Sequence, residues 1–506
     1  MIARKSALVV SSNFLTGLLN YASLFVIARY YDFPKFALGI ISFSYGFVAL
    51  FNIIPNLGFP NAHIKRISEG KEISKCNATF FSIRLFLTFL MIFTVFISIF
   101  IWKNFFHRGF ESPLQEHAVY LMLFYYILLT LARNFTITFR AKMEVAIAQI
   151  PFFIEAFART TATAYFVFSG YETIWIVYTY IIGGFAFFLS SYYFFKEPVG
   201  MPDKEYLSIY LKFAIPLALV PVSFIIMTNL DKVLIQLFWG YDEGADYFSM
   251  VRICRFINNI TVAFGMLLLP TMSAMHAKSR MDEMKEISKK AERYISMILM
   301  PVIFLIIFLA KPIIYVLLSK EFYTAIPIMQ VLPIFALLDA LERPYQTKLL
   351  GMDLPNFARN RMLIMVFMNV ILNIILIPKD IKSIGIKLFG LAGTGAAIAT
   401  VIAYMAGLIY TRIIIYRVSK IGINFNILKH LMAGILMGFA VSYINRFYVI
   451  IRWYHLLLFA IAGTAIYVFL LFLMREFNKE DFNLFIDTIN PKKMLSYIVE
   501  EIKSKK

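Results

Sequence analysis

The chain has 506 residues, 60% of them hydrophobic and 16% charged, and carries a formal net charge of +19. Soluble domains run nearer half apolar and a quarter charged, so this balance excludes a soluble globular protein and predicts an all-α polytopic membrane protein. Two distant cysteines (Cys76, Cys254) and six scattered histidines exclude a disulfide framework and a metal cluster; no nucleic-acid module accompanies the positive charge, which loop topology explains.

In chain order, apolar windows predict about fourteen spans. They lie at 6–28, 36–57, 78–101, 117–139, 145–169, 173–195, 207–229, 246–270, 294–317, 325–350, 358–377, 389–415, 429–450 and 453–474. The N-terminal MIARKSALVV leads straight into the first, with no cleavable leader. Connections are short. The longest internal one, 271–293, carries Lys278, Arg280, Lys285, Lys289, Lys290 and Arg293 and is expected in the cytoplasm. Alternate loops on that side are far richer in Lys and Arg, so both termini are expected on the cytoplasmic face of the cell membrane. Prolines 216, 221, 301, 327 and 333 fall within spans and predict kinks. The aromatic residues, 17% of the chain, are read as lipid-facing or packing groups.

The two halves look related. The first contains IARYYDFPKFALGIISF, then IPNLGFPNAHIKRISEGK; the second contains IQLFWGYDEGADYFSMV, then LLLPTMSAMHAK. Each reads as helix, aromatic-acidic turn, helix, proline, basic loop. Parallel repeats of this kind place a cargo site between halves. The division expected is an N-lobe at 1–206, a C-lobe at 207–428, two added helices at 429–474 and an amphipathic tail at 475–506. That tail is read as surface-lying, with partner docking as the alternative.

The richest stretch for chemistry runs from Asn229 to Met275. Its second helix carries Arg252, Arg255, Asn258 and Asn259, roughly on one face at 3.6 residues per turn. Two guanidinium groups on a membrane helix cannot face lipid, so they line a wet cavity or a partner. Arginine's planar donor fork suits phosphate oxygens, which makes this pair the first candidates for an anionic cargo. The alternative is structural pairing with a carboxylate or carbonyls. Arg29 at the end of the first span is the next candidate, against a snorkelling role. Arg133 follows, and Arg84 is also within a span. Asn13 and Asn20 share a helix face and are cavity-polar candidates, with helix–helix hydrogen bonding as the alternative.

Glu155 with Arg159, and Asp339 with Arg343, stand four apart, which brings each pair together on one helix face. Self-neutralising pairs are the preferred reading, and an ion relay the other. Glu342 has no partner within its own helix. Asp231 followed by Lys232 reads as a local pair. The cluster Lys65, Arg66, Lys71 and Lys75 is explained by topology, with attraction of an anionic headgroup secondary.

Several phrases together resemble the polysaccharide-transporter (Wzx-type) flippases of the multidrug/oligosaccharidyl-lipid/polysaccharide (MOP) exporter superfamily. They are IARYYDFPKFALG, NLDKVLIQLFWGYDEGADYFSMVRI, LLLPTMSAM, LLSKEFYTAIPIMQVL and LIPKDIKSIGIKLFGLAGTGAAIAT, in order over 1–415. The resemblance implies a MATE-like fold: two six-helix lobes, here with two appended helices, that alternate access around a cationic cavity. It implies translocation of a polyprenyl-pyrophosphate-linked oligosaccharide to the outer leaflet for polysaccharide or glycoconjugate biosynthesis. With no long external loop and no metal or nucleotide motif, neither catalysis nor a cofactor is expected; the direction of transport is open between membrane potential, an Na+ or H+ gradient and removal of product. By similarity to the sister lipid II flippases, Arg252 would be a helix-eight cavity arginine. Asp231, Asn369, Asn373 and Thr400 would form the sodium set, although the second acid of that pattern is absent. Expected partners are the lipid-linked oligosaccharide and membrane lipids, with no nucleic acid; a monomer is expected, with polysaccharide-assembly proteins as associates. The competing reading on the same fold is a MATE-type cation-coupled exporter of drugs or organic cations, which requires an acidic cavity.

Overall fold

The computed structural model describes residues 2–104, 110–278, 280–352, 354–381, 386–422 and 424–477. The first half folds as α1 (Ile2–Tyr30), α2 (Pro34–Phe51), a 3-10 turn (Ile54–Asn56), α3 (Phe59–Ser68), α4 (Ile73–Asn104), α5 (Pro113–Ala141), α6 (Val145–Phe168) and α7 (Thr173–Phe194). The second half begins with α8 (Lys204–Leu217), α9 (Leu219–Trp239), α10 (Tyr241–Ala277) and α11 (Met281–Phe308). It continues as α12 (Ala310–Leu317), a 3-10 segment (Lys320–Ala325), α13 (Ile326–Val331), α14 (Pro333–Gly351), α15 (Pro355–Leu376) and α16 (Ala392–Ser419). A two-residue antiparallel ladder, Asp380–Ile381 with Ile386–Lys387, closes the turn before α16. Two last helices follow, α17 (Asn426–Phe447) and α18 (Trp453–Leu473).

Local chemistry sets many of these boundaries. Ser112 accepts the Gln115 amide at 3.2 Å and Pro113 opens α5, while Asp203 caps α8 by accepting the amides of Glu205 and Tyr206. The prolines act more sharply than kinks. Pro221 has no amide to give Leu217, and the window at 207–229 is split at Ala218 into α8 and α9. Pro327 and Pro333 occupy the first turns of α13 and α14, so the window at 325–350 is also two helices. Pro216 falls in the last turn of α8 and Pro221 in the first of α9, so of the five only Pro301 lies in mid-helix, in α11.

Among the described residues, eleven helical stretches are long and apolar enough to cross a membrane, one of them the run Lys320–Gly351 that contains α13 and α14, which makes this a multi-pass membrane protein. The windows at 6–28, 145–169 and 246–270 fall on α1, α6 and α10, helices of 29, 24 and 37 residues that are not among the eleven. Large apolar side chains are left exposed along α4 (Phe86, Phe89, Phe93, Phe100) and α18 (Leu457, Leu458, Ile461, Phe469, Phe472). Such faces are at home in hydrocarbon and would be untenable in water.

Helices α1, α2 and α4–α7 pack as one lobe, and α9–α11 with α14–α16 as the other; α1 and α2 meet α9 and α10 along the seam. The inter-lobe chain departs from the expected division. Helix α8 packs on α3 and α4 of the first lobe, where His63 Nδ1 lies 2.7 Å from the Tyr210 hydroxyl. Gly58, at φ 81°, makes this possible, because a Cβ there would sit 2.4 Å from the Ala214 carbonyl oxygen. Helix α17 packs on α11 and α18 on α17. Just beyond α18, Glu476 accepts hydrogen bonds from Arg293 (2.6 Å) and Lys429 (3.0 Å), fixing the added pair to the second lobe. The expected amphipathic tail lies outside the described residues from 478 onward.

The side on which α1 begins is called here the N-terminal face, and the opposite side the far face. At the far face the lobes are tied closely. Lys35 Nζ donates to Asp246 at 2.9 Å and to Thr324 at 2.7 Å, and Gln236 donates to Glu111 at 2.6 Å. Gly39 on α2 meets the start of α10, with room for no side chain: a Cβ there would lie 2.3 Å from the Tyr241 oxygen. Burial lifts the Glu111 carboxyl above the usual carboxylate range, against the Gln236 hydrogen bond.

Candidate functional site, a cationic cavity between the lobes

Between the lobes lies a cavity of ≈ 340 Å³ whose polar wall is Asn20, Tyr21, Tyr45, Tyr125, Glu155, Arg159, Tyr180, Lys232, Arg252 and Arg255. It draws on α1, α2, α5, α6 and α7 from one lobe and α9 and α10 from the other. Arg252 donates to the Tyr180 hydroxyl at 2.6 Å and lies 4.4 Å from the Phe248 ring centroid, which fixes its fork across the seam. Arg255, one turn on, is exposed and borders this cavity and a second one in the second lobe. Arg159 is held by Glu155 (2.8 Å) and also donates to Asn20. The Glu155–Arg159 pair therefore forms as its spacing predicts, and it stands in the cavity wall.

Lys232 is the residue that sequence reading underrates. Its ammonium does not meet Asp231. It is 1% exposed, donates to the Thr228 carbonyl (2.5 Å) and Asn229 Oδ1 (2.8 Å), and lies 5.9 Å from the Tyr45 ring centroid. Adjacent residues on a helix point about 100° apart, so Asp231 faces away into the second lobe. The local-pair expectation fails for that reason. The wall thus contains one carboxylate, already engaged by Arg159, and three cations, Lys232, Arg252 and Arg255, without a carboxylate partner among the described residues.

Most aromatic residues are expected on lipid or in packing, but Tyr21, Tyr45, Tyr125 and Tyr180 line this cavity. Their hydroxyls and ring faces turn a cationic hole into one that can also receive a polar, ring-shaped group.

Other candidates are placed elsewhere. Arg29 stands at the far face and donates to the carbonyls of Tyr315 (2.9 Å) and Leu318 (3.4 Å), so it ties α1 to α12 and is not in the cavity wall. Arg133 is half-buried on α5 and is not a cavity-lining residue. Asn13 is half-buried on α1 outside the lining, while Asn20 is in it. Asn258 and Asn259 continue α10, but their side chains lie outside the described residues.

The second cavity, ≈ 460 Å³, lies in the second lobe and includes Asp231, Tyr247, Arg255, Asp339, Arg343, Arg361 and Thr400. Tyr247 organises one wall. Its hydroxyl donates to Asp231 at 2.5 Å, and Thr400 lines the same cavity beside it. Thr400 is reached by Asn369 (3.4 Å), whose Oδ1 accepts from Asn373 (3.0 Å). The four residues of the expected ion set are therefore brought together beside a tyrosine that spacing does not reveal. Asn373 Oδ1 is buried without a partner, so the donor set is one carboxylate, amide oxygens and hydroxyls. That suits a small hard cation, although the Tyr247 proton occupies one carboxylate oxygen.

On the opposite wall, Arg343 pairs with Asp339 at 2.6 Å as its spacing predicts, and Arg361 lies 3.7 Å from the same carboxylate. Glu342, unpartnered within its helix, takes Arg361 from α15 and Thr411 (2.5 Å) from α16. Glu292 on α11 likewise meets Arg412 on α16 and the Tyr345 hydroxyl (2.6 Å).

No curated protein sequence matches the chain. Among solved structures, it is similar to the lipid II flippase MurJ in an inward closed conformation, with a TM-score of 0.72 and 16% identity over 92% of this chain and 99% of that one. It is also similar to a multidrug resistance MATE family transporter of the MOP superfamily in an inward-facing conformation (TM-score 0.63, 15% identity, 81% and 96% covered). A third is a MOP superfamily transporter from Pyrococcus furiosus described as having a binding pocket of reversed polarity (TM-score 0.54, 16% identity, 82% and 95% covered). At these identities the likeness is one of fold. The profile of the family described as polysaccharide biosynthesis protein matches residues 2–276, more than half of the chain, and the protein belongs to that family.

Proposed function

We propose that this protein is a flippase for a polyprenyl-pyrophosphate-linked oligosaccharide, with the N-terminal face cytoplasmic, both termini there, and fourteen spans arranged as six, six and two in the cell membrane. The observation that carries the reading is the cavity between the lobes, where Lys232, Arg252 and Arg255 have no carboxylate partner among the described residues. A buried excess of cations is costly until an anion enters, and a pyrophosphate offers oxygens on both sides for arginine forks. In a low-dielectric cavity each such contact outweighs its value in water. The four tyrosines serve the sugar, and the isoprenoid remains in lipid. A drug or organic-cation exporter would require the opposite charge.

Transport follows from the seam. Cargo charge draws α10 and α9 toward the first lobe, and the far-face ties of Lys35, Arg29 and Gln236 must break for release. Cargo shifts this equilibrium only through different affinities for the two arrangements. Asp231, Asn369, Asn373 and Thr400 would hold a coupling Na+ together with Tyr247; no step is assigned to it.

The test is flipping of a fluorescent polyprenyl-pyrophosphate oligosaccharide by the full chain in proteoliposomes, wild type against Arg252→Ala and Arg255→Ala. Loss of flipping in folded, monodisperse variants is expected. Flipping at wild-type rate in both would remove this cavity from the mechanism. Absence of flipping by wild type across several glycans, with export of a cationic dye, would overturn the proposal in favour of the exporter.

A further inference from the structure

Outside the cavity, the first lobe contains a second set of cations without acids. Arg84 on α4 is 0% exposed; its Nε and Nη1 have no hydrogen-bond partner, and its Nη2 only reaches Asn56 Oδ1 at 3.5 Å. Arg133 and Arg140 are seven residues apart on α5 and so share one face. Arg133 is the electrostatic neighbour of both other arginines. None of the three is in an ion pair among the described residues. The next base along, Lys142, is by contrast held by Glu197 and by Glu144 at 3.2 Å.

This stripe leads into the cavity. Tyr125, two turns deeper on α5 than Arg133, lines the cavity wall. At the other end, the Arg140 guanidinium sits 5.6 Å from the ring centroid of Phe152, another cavity-lining residue. Arg140 itself is exposed at the end of α5, on the N-terminal face. Three neighbouring guanidinium groups repel one another, and no carboxylate among the described residues of their lobe pairs with them. A bound anion would supply the missing counter-charge to the buried member, Arg84, and its neighbours, and a phosphate group matches the arginine fork.

We infer that Arg133 and Arg140, backed by the fixed charge of Arg84, form a vestibule site for a phosphate or pyrophosphate group at the N-terminal-face mouth of the cavity. The inference rests on the flippase reading for its cargo, whose pyrophosphate would dock here before moving to Arg252, Arg255 and Lys232. An anionic phospholipid headgroup presents the same chemistry and is the other source.

The experiment is calorimetric titration of the full chain in neutral-lipid nanodiscs with inorganic pyrophosphate. Wild type is expected to bind at two sites. Arg133→Gln/Arg140→Gln, at an exposed and a half-buried position, should abolish one site or weaken it about tenfold, and Arg133→Lys/Arg140→Lys should restore much of it. Arg252→Gln/Arg255→Gln should remove the other. Unchanged stoichiometry and affinity in a folded Arg133→Gln/Arg140→Gln variant would overturn the vestibule. One site in wild type, lost only in that variant, would keep the vestibule and reject the cavity reading. Repeating the titration with anionic phosphatidylglycerol in the disc separates the sources: competition at the vestibule alone supports a headgroup as co-occupant, and no competition supports the cargo pyrophosphate as sole occupant.

Discussion

The two lobes share an architecture but treat the membrane arginines away from the seam in opposite ways. In the second lobe, four buried or half-buried arginines of α11, α14, α15 and α16 meet an acid: Arg293 with Glu476, Arg343 with Asp339, Arg361 with Glu342 and Arg412 with Glu292; Lys348 on α14, buried without a hydrogen-bond partner among the described residues, is an exception among the cations there. In the first lobe, Arg159 has its glutamate, while Arg84, Arg133 and Arg140 have none among the described residues. Paired charges inside a membrane protein fix helices to one another; unpaired ones wait for a ligand. The contrast assigns the second lobe the rigid frame and the first lobe, with the seam, the handling of anions.

The contrast is broken most severely by removing one partner of a closed pair. Arg361→Met strands Glu342, which is 1% exposed, and should cost about 3–5 kcal/mol, read as a lower thermal midpoint in detergent. Next comes the seam. Lys232→Met should leave the fold intact and weaken pyrophosphate binding by about 1.5–3 kcal/mol, tenfold or more in Kd by titration. A smaller effect is expected at the far face, where Lys35→Ala leaves Asp246 with Thr324 alone. Separation of the lobes should become easier by about 1–2 kcal/mol. Its readout is a lower cross-linking yield between cysteines placed at Phe36 and Tyr241, whose rings are 5.1 Å apart; both native cysteines are buried and silent. The smallest effect on stability belongs to Arg84→Met. An unpaired buried cation replaced by an apolar chain of similar length should lose no thermal stability. A fall as large as that of Arg361→Met would erase the distinction between the lobes.

Much of the fold is legible in the sequence because a bilayer imposes length and polarity on every span. Where the reading errs, a proline is usually at fault: Pro221 and Pro333 divide windows that hydropathy alone treats as continuous. Pairs four residues apart, Glu155–Arg159 and Asp339–Arg343, follow from helix geometry and form as spaced. Pairs between helices do not announce themselves, and Glu342 with Arg361, or Tyr247 between Asp231 and Thr400, emerge only from packing. Arg29 misleads because a basic residue at a helix end looks alike whether it snorkels, binds cargo or holds two carbonyls. Lys232 is missed because its neighbour Asp231 suggests a partner that helix rotation places on another face.

That rotation gives α9 a mechanical character. Two adjacent side chains, Asp231 and Lys232, reach into separate chambers from a single rod, so one turn of the rod repositions both charges at once. At the Ala218 break α9 turns away from α8, which packs on the first lobe through Tyr210 and Ala214. A rotation of α9 would therefore act like a crank with two throws, moving Lys232 in one chamber and Asp231 in the other together.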